Sequence, residues 1–211
     1  MRSLYRHIVT HDLLRIDDAD QLRADGPVPD WVEKSLAFAS FVVVRRAPSL
    51  NGLVPVGVRG RTRGQRFAAF VSHNSVRERI TPEEIAEKRS WKYNRLRETP
   101  FAMALEYIEA TLATSALTWG PIGSVGFELA SGVPTVGVCS DLDLLIRMES
   151  PLDCKSARQL SLRLAEVPVR VDVQLETPSG AIALAEYARG EPSVMLRTYD
   201  GPRLVSNPCR S

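Results

Sequence analysis

The chain has 211 residues and a formal net charge of +2, with 44% hydrophobic and 25% charged residues. These proportions are ordinary for a soluble globular protein, and they exclude a disordered, collagen-like or disulfide-rich miniature chain. The longest nearly unbroken apolar run covers residues 36–44, whereas a membrane-spanning helix needs roughly 20 apolar residues. We therefore expect no membrane partner and a cytoplasmic location, which agrees with three widely separated cysteines in no zinc-binding spacing.

The first 90 residues predict a small β-rich unit. The residue pattern favours a helix over residues 31–38, strands over residues 40–46, 54–58 and 65–72, and a helix start at residues 81–84. This part of the chain is also basic, because residues 45–97 contain 13 basic and four acidic residues. A basic surface attracts phosphate-bearing ligands or an acidic protein partner, although a solvated arginine-rich face is the alternative.

After Pro100 the pattern alternates between helices and strands. It predicts helices over residues 101–112, 124–130, 153–166 and 179–188, strands over 117–120, 141–147 and 169–175, and a hairpin over 194–205. The predicted fold class is therefore α+β (α/β-like), with a mixed sheet and helices packed on one of its faces. We divide the chain into an N-terminal domain, residues 1–90, and a C-terminal catalytic domain, residues 91–211.

Two aspartates alternate with apolar residues in the strand predicted for residues 141–147. Side chains two residues apart on a strand face the same way, so Asp141 and Asp143 should lie side by side while Leu142 and Leu144 face the core. Adjacent carboxylates repel each other unless a cation binds between them, and hard divalent ions prefer carboxylate oxygens. The sequence therefore predicts a site for Mg²⁺ or Mn²⁺, with a solvated strand edge as the alternative.

A third acid, Asp172, lies in the valine-rich strand predicted for residues 169–175. On a neighbouring strand it would complete a clamp in which one metal ion activates an attacking hydroxyl and another steadies a leaving phosphate. A solvated or hydrogen-bonded aspartate is the alternative.

Gly123 and Ser124 come directly before or at the start of the helix predicted for residues 124–130. Free N–H groups at a helix N-terminus bind phosphate, and a glycine lets the phosphate approach the backbone. An ordinary helix cap is the alternative. The order of glycine-serine, two alternating acids and a third acid favours displacement at phosphorus with a nucleoside triphosphate-like donor.

The same order of motifs resembles the nucleotidyltransferase superfamily that includes DNA polymerase β. Within it, the chain is most similar to the family of malonate decarboxylase holo-acyl-carrier-protein synthases, also called phosphoribosyl-dephospho-CoA transferases. The stretches that carry this resemblance are VPVGVRGRTRGQR (54–66), WGPIGSVGFELA (119–130), SDLDLLIR (140–147), VDVQLETPSGAIAL (171–184) and LRTYDGPRLV (196–205). They follow one another over most of the chain.

The resemblance implies transfer of a prosthetic group from 2′-(5″-triphosphoribosyl)-3′-dephospho-CoA to a serine of the acyl-carrier subunit of malonate decarboxylase, with release of pyrophosphate. It implies that Asp141 and Asp143 bind the metal and that Gly123 and Ser124 hold the donor phosphates. Asp172 follows as the third acid from the layout of the superfamily.

Glu176, which lies on the same strand face as Asp172, is the rival for the third acid. We expect Arg59, Arg63 and Arg66 to line a surface for the donor or an acidic carrier. Arg147 should face the side of Asp143, where it pairs with an acid or reaches a phosphate.

Two other functions remain open from the sequence. One is another nucleotidyltransferase, similar to the citrate lyase carrier-protein synthase or using ATP or CTP. The other is a catalytically inert nucleic-acid-binding module. Nucleic acid is the less favoured partner, because the basic segment lacks the interleaved aromatic residues of single-strand binders.

Overall fold

The computed structural model of the protein describes residues 8–62, 64–113, 115, 117–148 and 152–207. The chain divides into two compact units. One runs to Thr81 and also takes in Ala130–Thr135, and the other comprises Pro82–Leu129 and Val136–Ser211. Each unit has its own six-stranded sheet, as expected for an α+β fold. None of the helices in the described ranges has the length and apolar character needed to cross a membrane.

The first unit is an antiparallel sheet with one helix. Its elements are β1 (Leu13–Arg15), β2 (Leu22–Arg23), α1 (Asp30–Phe38), β3 (Phe41–Val44), β4 (Val54–Arg59), β5 (Arg66–Val71) and β6 (Glu78–Ile80), with short 3₁₀ turns at Ala19–Gln21 and His73–Ser75. The strand order is β2-β5-β4-β3-β1-β6. The predicted helix and the three predicted strands are confirmed, whereas the short β1, β2 and β6 were not predicted.

Alternating residues of β4 form the core of this first unit. Val54, Val56 and Val58 are buried and belong to the same apolar cluster as Val32 and Leu36 of α1. Val32 and Leu36 are four residues apart and therefore lie on one face of the helix. The buried side chains that alternate along β4 and the buried face of α1 thus belong to one core.

The second unit contains the remaining elements around a mixed sheet. They are α2 (Pro82–Lys88), α3 (Pro100–Leu112), β7 (Thr118–Pro121), α4 (Gly123–Ser131), β8 (Leu142–Arg147), α5 (Cys154–Leu164), β9 (Val171–Thr177), β10 (Gly180–Ala183), α6 (Leu184–Arg189), β11 (Ser193–Thr198) and β12 (Gly201–Ser206), with 3₁₀ turns at Ser90–Lys92 and Arg95–Glu98. The strand order is β12-β11-β10-β9-β8-β7. The β8–β9 pair is parallel and the other pairs are antiparallel.

The core of the second unit lies on one side of β8. Leu142, Leu144 and Ile146 are fully buried in a cluster that includes Ile108 of α3 and Leu160 of α5. Because side chains alternate along a strand, the residues between these three face the other side of the sheet. That other side carries the candidate site.

The helix predicted for residues 179–188 is wrong in its first half. Gly180–Ala183 forms β10, which pairs with β9 from Gly180 opposite Thr177 to Ala183 opposite Gln174, and only then does α6 begin. Gly180 has a φ of +141°, and a Cβ there would lie 2.4 Å from the carbonyl oxygen of Arg197. Pairing with a neighbouring strand therefore overrides the helical propensity of this alanine-containing stretch.

Candidate active site

Three carboxylates come together at the start of β8 and β9. Asp143 and Asp172 are direct partners in the parallel register, and Asp141 precedes β8 by one residue. One oxygen from each of the three carboxylates lies within 4.8 Å of the others, and all three residues are partly buried. Three carboxylate oxygens at this spacing are a suitable ligand set for a hard divalent cation such as Mg²⁺ or Mn²⁺. The residues present therefore fit the metal that the sequence predicts.

The two candidates for the third acid, Asp172 and Glu176, lie at different places along β9. Asp172 belongs to the cluster with Asp141 and Asp143, whereas Glu176 is the register partner of Arg147 at the far end of β8. The side chains of Asp172 and Glu176 still face the same side of β9, as expected from their spacing. The geometry therefore favours Asp172 as the third ligand.

The loop before α4 lies directly over the carboxylate of Asp143. The backbone N–H of Ile122 donates a hydrogen bond to the carbonyl oxygen of Asp143 at 2.9 Å. Gly123 has a φ of +63°, and a Cβ at this position would lie only 2.0 Å from Asp143 Oδ2. A glycine is therefore required here for two reasons, the left-handed backbone and the close carboxylate. Ser124 follows in the first turn of α4 and is buried.

A buried glutamate on α4 ties this helix to neighbouring segments by hydrogen bonds. Glu128 is only 3% exposed, and its carboxylate accepts two hydrogen bonds from Arg95 at 2.9 and 2.7 Å and a third from the N–H of Val136 at 2.8 Å. The hydrogen bonds to Glu128 raise the pKa of Arg95 above its ordinary value. Glu128 was not predicted from the sequence, because a lone glutamate in a helix carries no signal of burial.

Arg147 pairs with an acid on α2. Its Nε donates to Glu83 Oε1 at 2.5 Å, and the two side chains are 27% and 18% exposed. The backbone of β7 also contacts the start of α2, since a Cβ at Gly120 would lie 2.0 Å from the carbonyl oxygen of Pro82. Of the two roles expected for Arg147, the structure shows the ion pair.

The other predicted arginines belong to the first unit. Arg59 and Arg66 are direct partners across the β4–β5 ladder, and Arg63 lies outside the described residues. Further along the basic segment, several cations form ion pairs with acids. These pairs are Arg77–Asp17, Arg79–Asp12, Arg89–Glu109, Lys92–Glu109 and Arg95–Glu128.

Two further arginines, neither of them predicted from the sequence, contact a carboxylate of the cluster or line a cavity together with it. Arg170 donates to both oxygens of Asp172, at 3.3 and 3.0 Å. Arg197 on β11 lines, together with Arg170, Asp143 and Asp172, a cavity of about 590 Å³. The spacing of Arg170 and Asp172, two residues apart in the strand predicted for residues 169–175, was the available signal.

Three carboxylates on adjacent strands, under a glycine that begins a helix, suit an enzyme that transfers a phosphate-linked group with the help of a divalent cation. The second unit therefore has the features of a transferase acting at phosphorus. Comparison with known families makes the assignment specific. The chain belongs to the phosphoribosyl-dephospho-CoA transferase MdcG family, whose C-terminal domain model matches residues 89–208 and whose N-terminal domain model matches residues 9–82. The resemblance inferred from the sequence motifs is confirmed.

Curated relatives agree over nearly the full chain. The chain is 41% identical to a phosphoribosyl-dephospho-CoA transferase of Azotobacter vinelandii, with 95% of this chain and 93% of the relative covered. It is 43% identical to the protein of that name in Pseudomonas fluorescens, over 95% of this chain and 94% of the relative. The corresponding identity with the Pseudomonas aeruginosa protein is 39%, over 95% and 93%. No solved structure matches the chain.

Proposed function

We propose that this protein transfers the phosphoribosyl-dephospho-CoA group from 2′-(5″-triphosphoribosyl)-3′-dephospho-CoA to a serine of the malonate decarboxylase acyl carrier. The family and the curated relatives support the transferase activity over 95% of the chain. The observation that carries the mechanism is the cluster of Asp141, Asp143 and Asp172, whose oxygens lie within 4.8 Å of one another. The fold of the second unit is then of the nucleotidyltransferase type.

The chemical step is a displacement at the α-phosphorus of the donor. The serine oxygen forms a bond to this phosphorus while the bond to the pyrophosphate oxygen breaks, so that a phosphodiester and pyrophosphate are the products. Asp141, Asp143 and Asp172 would hold Mg²⁺ or Mn²⁺, which supplies positive charge for the phosphate oxygens and for the attacking oxygen. The proton of the serine hydroxyl passes to a carboxylate oxygen of the cluster, and Asp172 is the half-exposed member that an incoming serine can reach.

The start of α4 holds the donor phosphates. Gly123 lets the backbone of this turn lie against the Asp143 carboxylate, and the N–H groups of the first helical turn carry the positive end of the helix dipole. Since Gly123 lies against Asp143, the phosphates held there would be next to the metal ligands. Positive backbone charge and carboxylate-held cations would therefore act on the same leaving group.

The first unit has the role of recognising the anionic substrates. Arg59, Arg63 and Arg66 would line a basic surface for the donor or for an acidic carrier. The arrangement of Arg59 and Arg66 supports this, because they are opposite each other on β4 and β5 and a bound anion would relieve the repulsion between like charges in that position. A cytoplasmic location remains a prediction.

The experiment that tests the function reads the intact mass of the carrier. Apo carrier, donor and Mg²⁺ are incubated with the protein, with the double variant Asp141→Asn, Asp143→Asn, or with the control Asp200→Asn, which changes an exposed acid in the β11–β12 turn. We expect the mass of one prosthetic group to be added by the wild type and the control, and not by the double variant or in chelator. Absence of any gain from the wild type, on a carrier that a known relative modifies, would refute the proposed function.

A further inference from the structure

A cavity lies beside the carboxylates, at the place where strand β10 ends. The ladder between β10 and β9 ends at Ala183 opposite Gln174, because the chain turns into α6 at Leu184. Strand β10 therefore does not extend along the first residues of β9. The cavity, of about 590 Å³, occupies this place, and Asp143 and Asp172 form part of its wall. Its volume lies within the range of roughly 300–1,000 Å³ that is typical of small-molecule sites.

The walls of the cavity combine apolar surface with a few polar groups. Apolar side chains come from the end of α5, from β9 and from the start of α6: Leu164, Val171, Val173 and Leu184. The polar groups are the amide of Gln174, the hydroxyl of Ser161 and the guanidinium groups of Arg170 and Arg197. Apolar surface beside a few polar groups is typical of sites for heterocycles, whose ring nitrogens can bind amide and hydroxyl groups, and guanidinium groups bind phosphate in a bidentate manner.

We infer that this cavity binds the adenosine diphosphate portion of the donor, with Arg197 and Arg170 as the residues that determine specificity. The inference rests on the proposed function. In the donor the triphosphoribosyl group is attached to the ribose of that adenosine, so the two portions are close together. The cavity meets this requirement because Asp143 and Asp172 are in its wall, which places the bound nucleotide next to the reacting phosphorus.

Arg170 can exchange its partner when the donor binds. It pairs with Asp172, but its side chain is 77% exposed and that of Asp172 is 46% exposed. An ion pair so open to water contributes little stability. With the Asp172 carboxylate as a metal ligand, the guanidinium of Arg170 would be available to bind a donor phosphate.

Arg197 is the better residue to test, because it does not belong to the carboxylate cluster of Asp141, Asp143 and Asp172. Its register partner is Ala181, which in turn is opposite Glu176, so Arg197 faces the same side of the sheet as the carboxylates. Arg203 on the adjacent strand is opposite Leu196 and therefore faces the other side. Arg203→Ala is thus a matched control that removes the same charge from the same hairpin.

The test is calorimetric titration with dephospho-CoA in the presence of EDTA, so that binding is measured without the metal. We expect the wild type to bind it, Arg197→Ala to weaken binding about tenfold, as for loss of one charge-assisted contact, and Arg203→Ala to leave it unchanged. Ala165→Trp, which places a large side chain at an exposed position in the cavity wall, should abolish binding while the circular dichroism spectrum is retained. ADP should compete with dephospho-CoA, and 4′-phosphopantetheine should not.

The outcomes separate this inference from the proposed function. Binding that survives Arg197→Ala and Ala165→Trp, or competition by 4′-phosphopantetheine alone, would overturn the assignment of the cavity. So would a wild type that modifies the carrier but shows no heat with dephospho-CoA at millimolar concentration. In each of these cases the transfer assay can still succeed, so the function would stand while the inference falls. Failure of transfer by the wild type would remove the function itself.

Discussion

The close contact between Gly123 and Asp143 makes Gly123→Ala the most informative single substitution. The new Cβ would lie 2.0 Å from Asp143 Oδ2, whereas ordinary contact begins at 3.4 Å, so the carboxylate oxygen must move by about 1.4 Å. The backbone at Gly123 has a φ of +63°, and an alanine in the left-handed region costs about 1–2 kcal/mol. The substitution therefore has one effect on stability and another on the position of a metal ligand.

Gly132→Ala separates these two effects. Gly132 has a φ of +73°, and an added Cβ meets nothing within 4 Å. We expect both variants to lose about 1–2 kcal/mol of unfolding free energy. Only Gly123→Ala should also lose transfer activity, by about a hundredfold, which is the order expected when a reacting group is displaced by more than 1 Å.

The assays are urea unfolding for stability and the initial rate of carrier modification at saturating Mg²⁺. The reasoning would be refuted if Gly123→Ala and Gly132→Ala had the same transfer rate. It would also be refuted if the rate of Gly123→Ala recovered fully at higher donor concentration, because a displaced metal ligand lowers kcat and not only the affinity for the donor.

Two further predictions concern stability. Arg147→Ala and Glu83→Ala should each destabilise the second unit, and a double-mutant cycle by urea unfolding should give a coupling of about 1 kcal/mol; a coupling near zero would contradict the ion pair as the role of Arg147. The hydroxyl and then the N–H of Ser156 hold the pKa of Asp153 below its ordinary value. A depressed carboxyl pKa contributes stability at neutral pH that is lost as the pH falls below about 4. Asp153→Asn should therefore flatten the acid limb of a plot of urea midpoint against pH. An unchanged acid limb would refute a stabilising role for Asp153 as the N-terminal cap of α5.

The alternation of acids and leucines in β8 was enough to predict a carboxylate pair and a buried face. Leu142, Leu144 and Ile146 are indeed fully buried, because side chains alternate between the two faces of a strand and every second residue therefore shares a face. The pairing of β8 with β9 was not encoded in that pattern. The valine-rich strand around Asp172 and the layout of the superfamily both pointed to this residue, and the parallel register places Asp172 beside Asp143.

Other features depended on partners distant in the chain. Glu83 and Arg147 are 64 positions apart, and no local pattern connects them. Strand β2 has only two residues and exists because β5 pairs with it, so its own sequence carries almost no strand signal. The helical propensity of residues 181–183 was similarly overridden by pairing with β9. Local periodicity can be read from the sequence, whereas the pairing of residues distant in the chain becomes visible only in the folded structure.

The central claim is that Asp172, with Asp141 and Asp143, completes the metal site that carries the transfer. It is tested most directly by titrating Mn²⁺ into the wild type, Asp172→Asn and Glu176→Gln, followed by electron paramagnetic resonance of free Mn²⁺, with the carrier mass read in parallel. We predict that Asp172→Asn weakens Mn²⁺ binding at least about tenfold and abolishes transfer, while Glu176→Gln keeps both. Loss of Mn²⁺ binding and transfer in Glu176→Gln, with Asp172→Asn unaffected, would contradict the account.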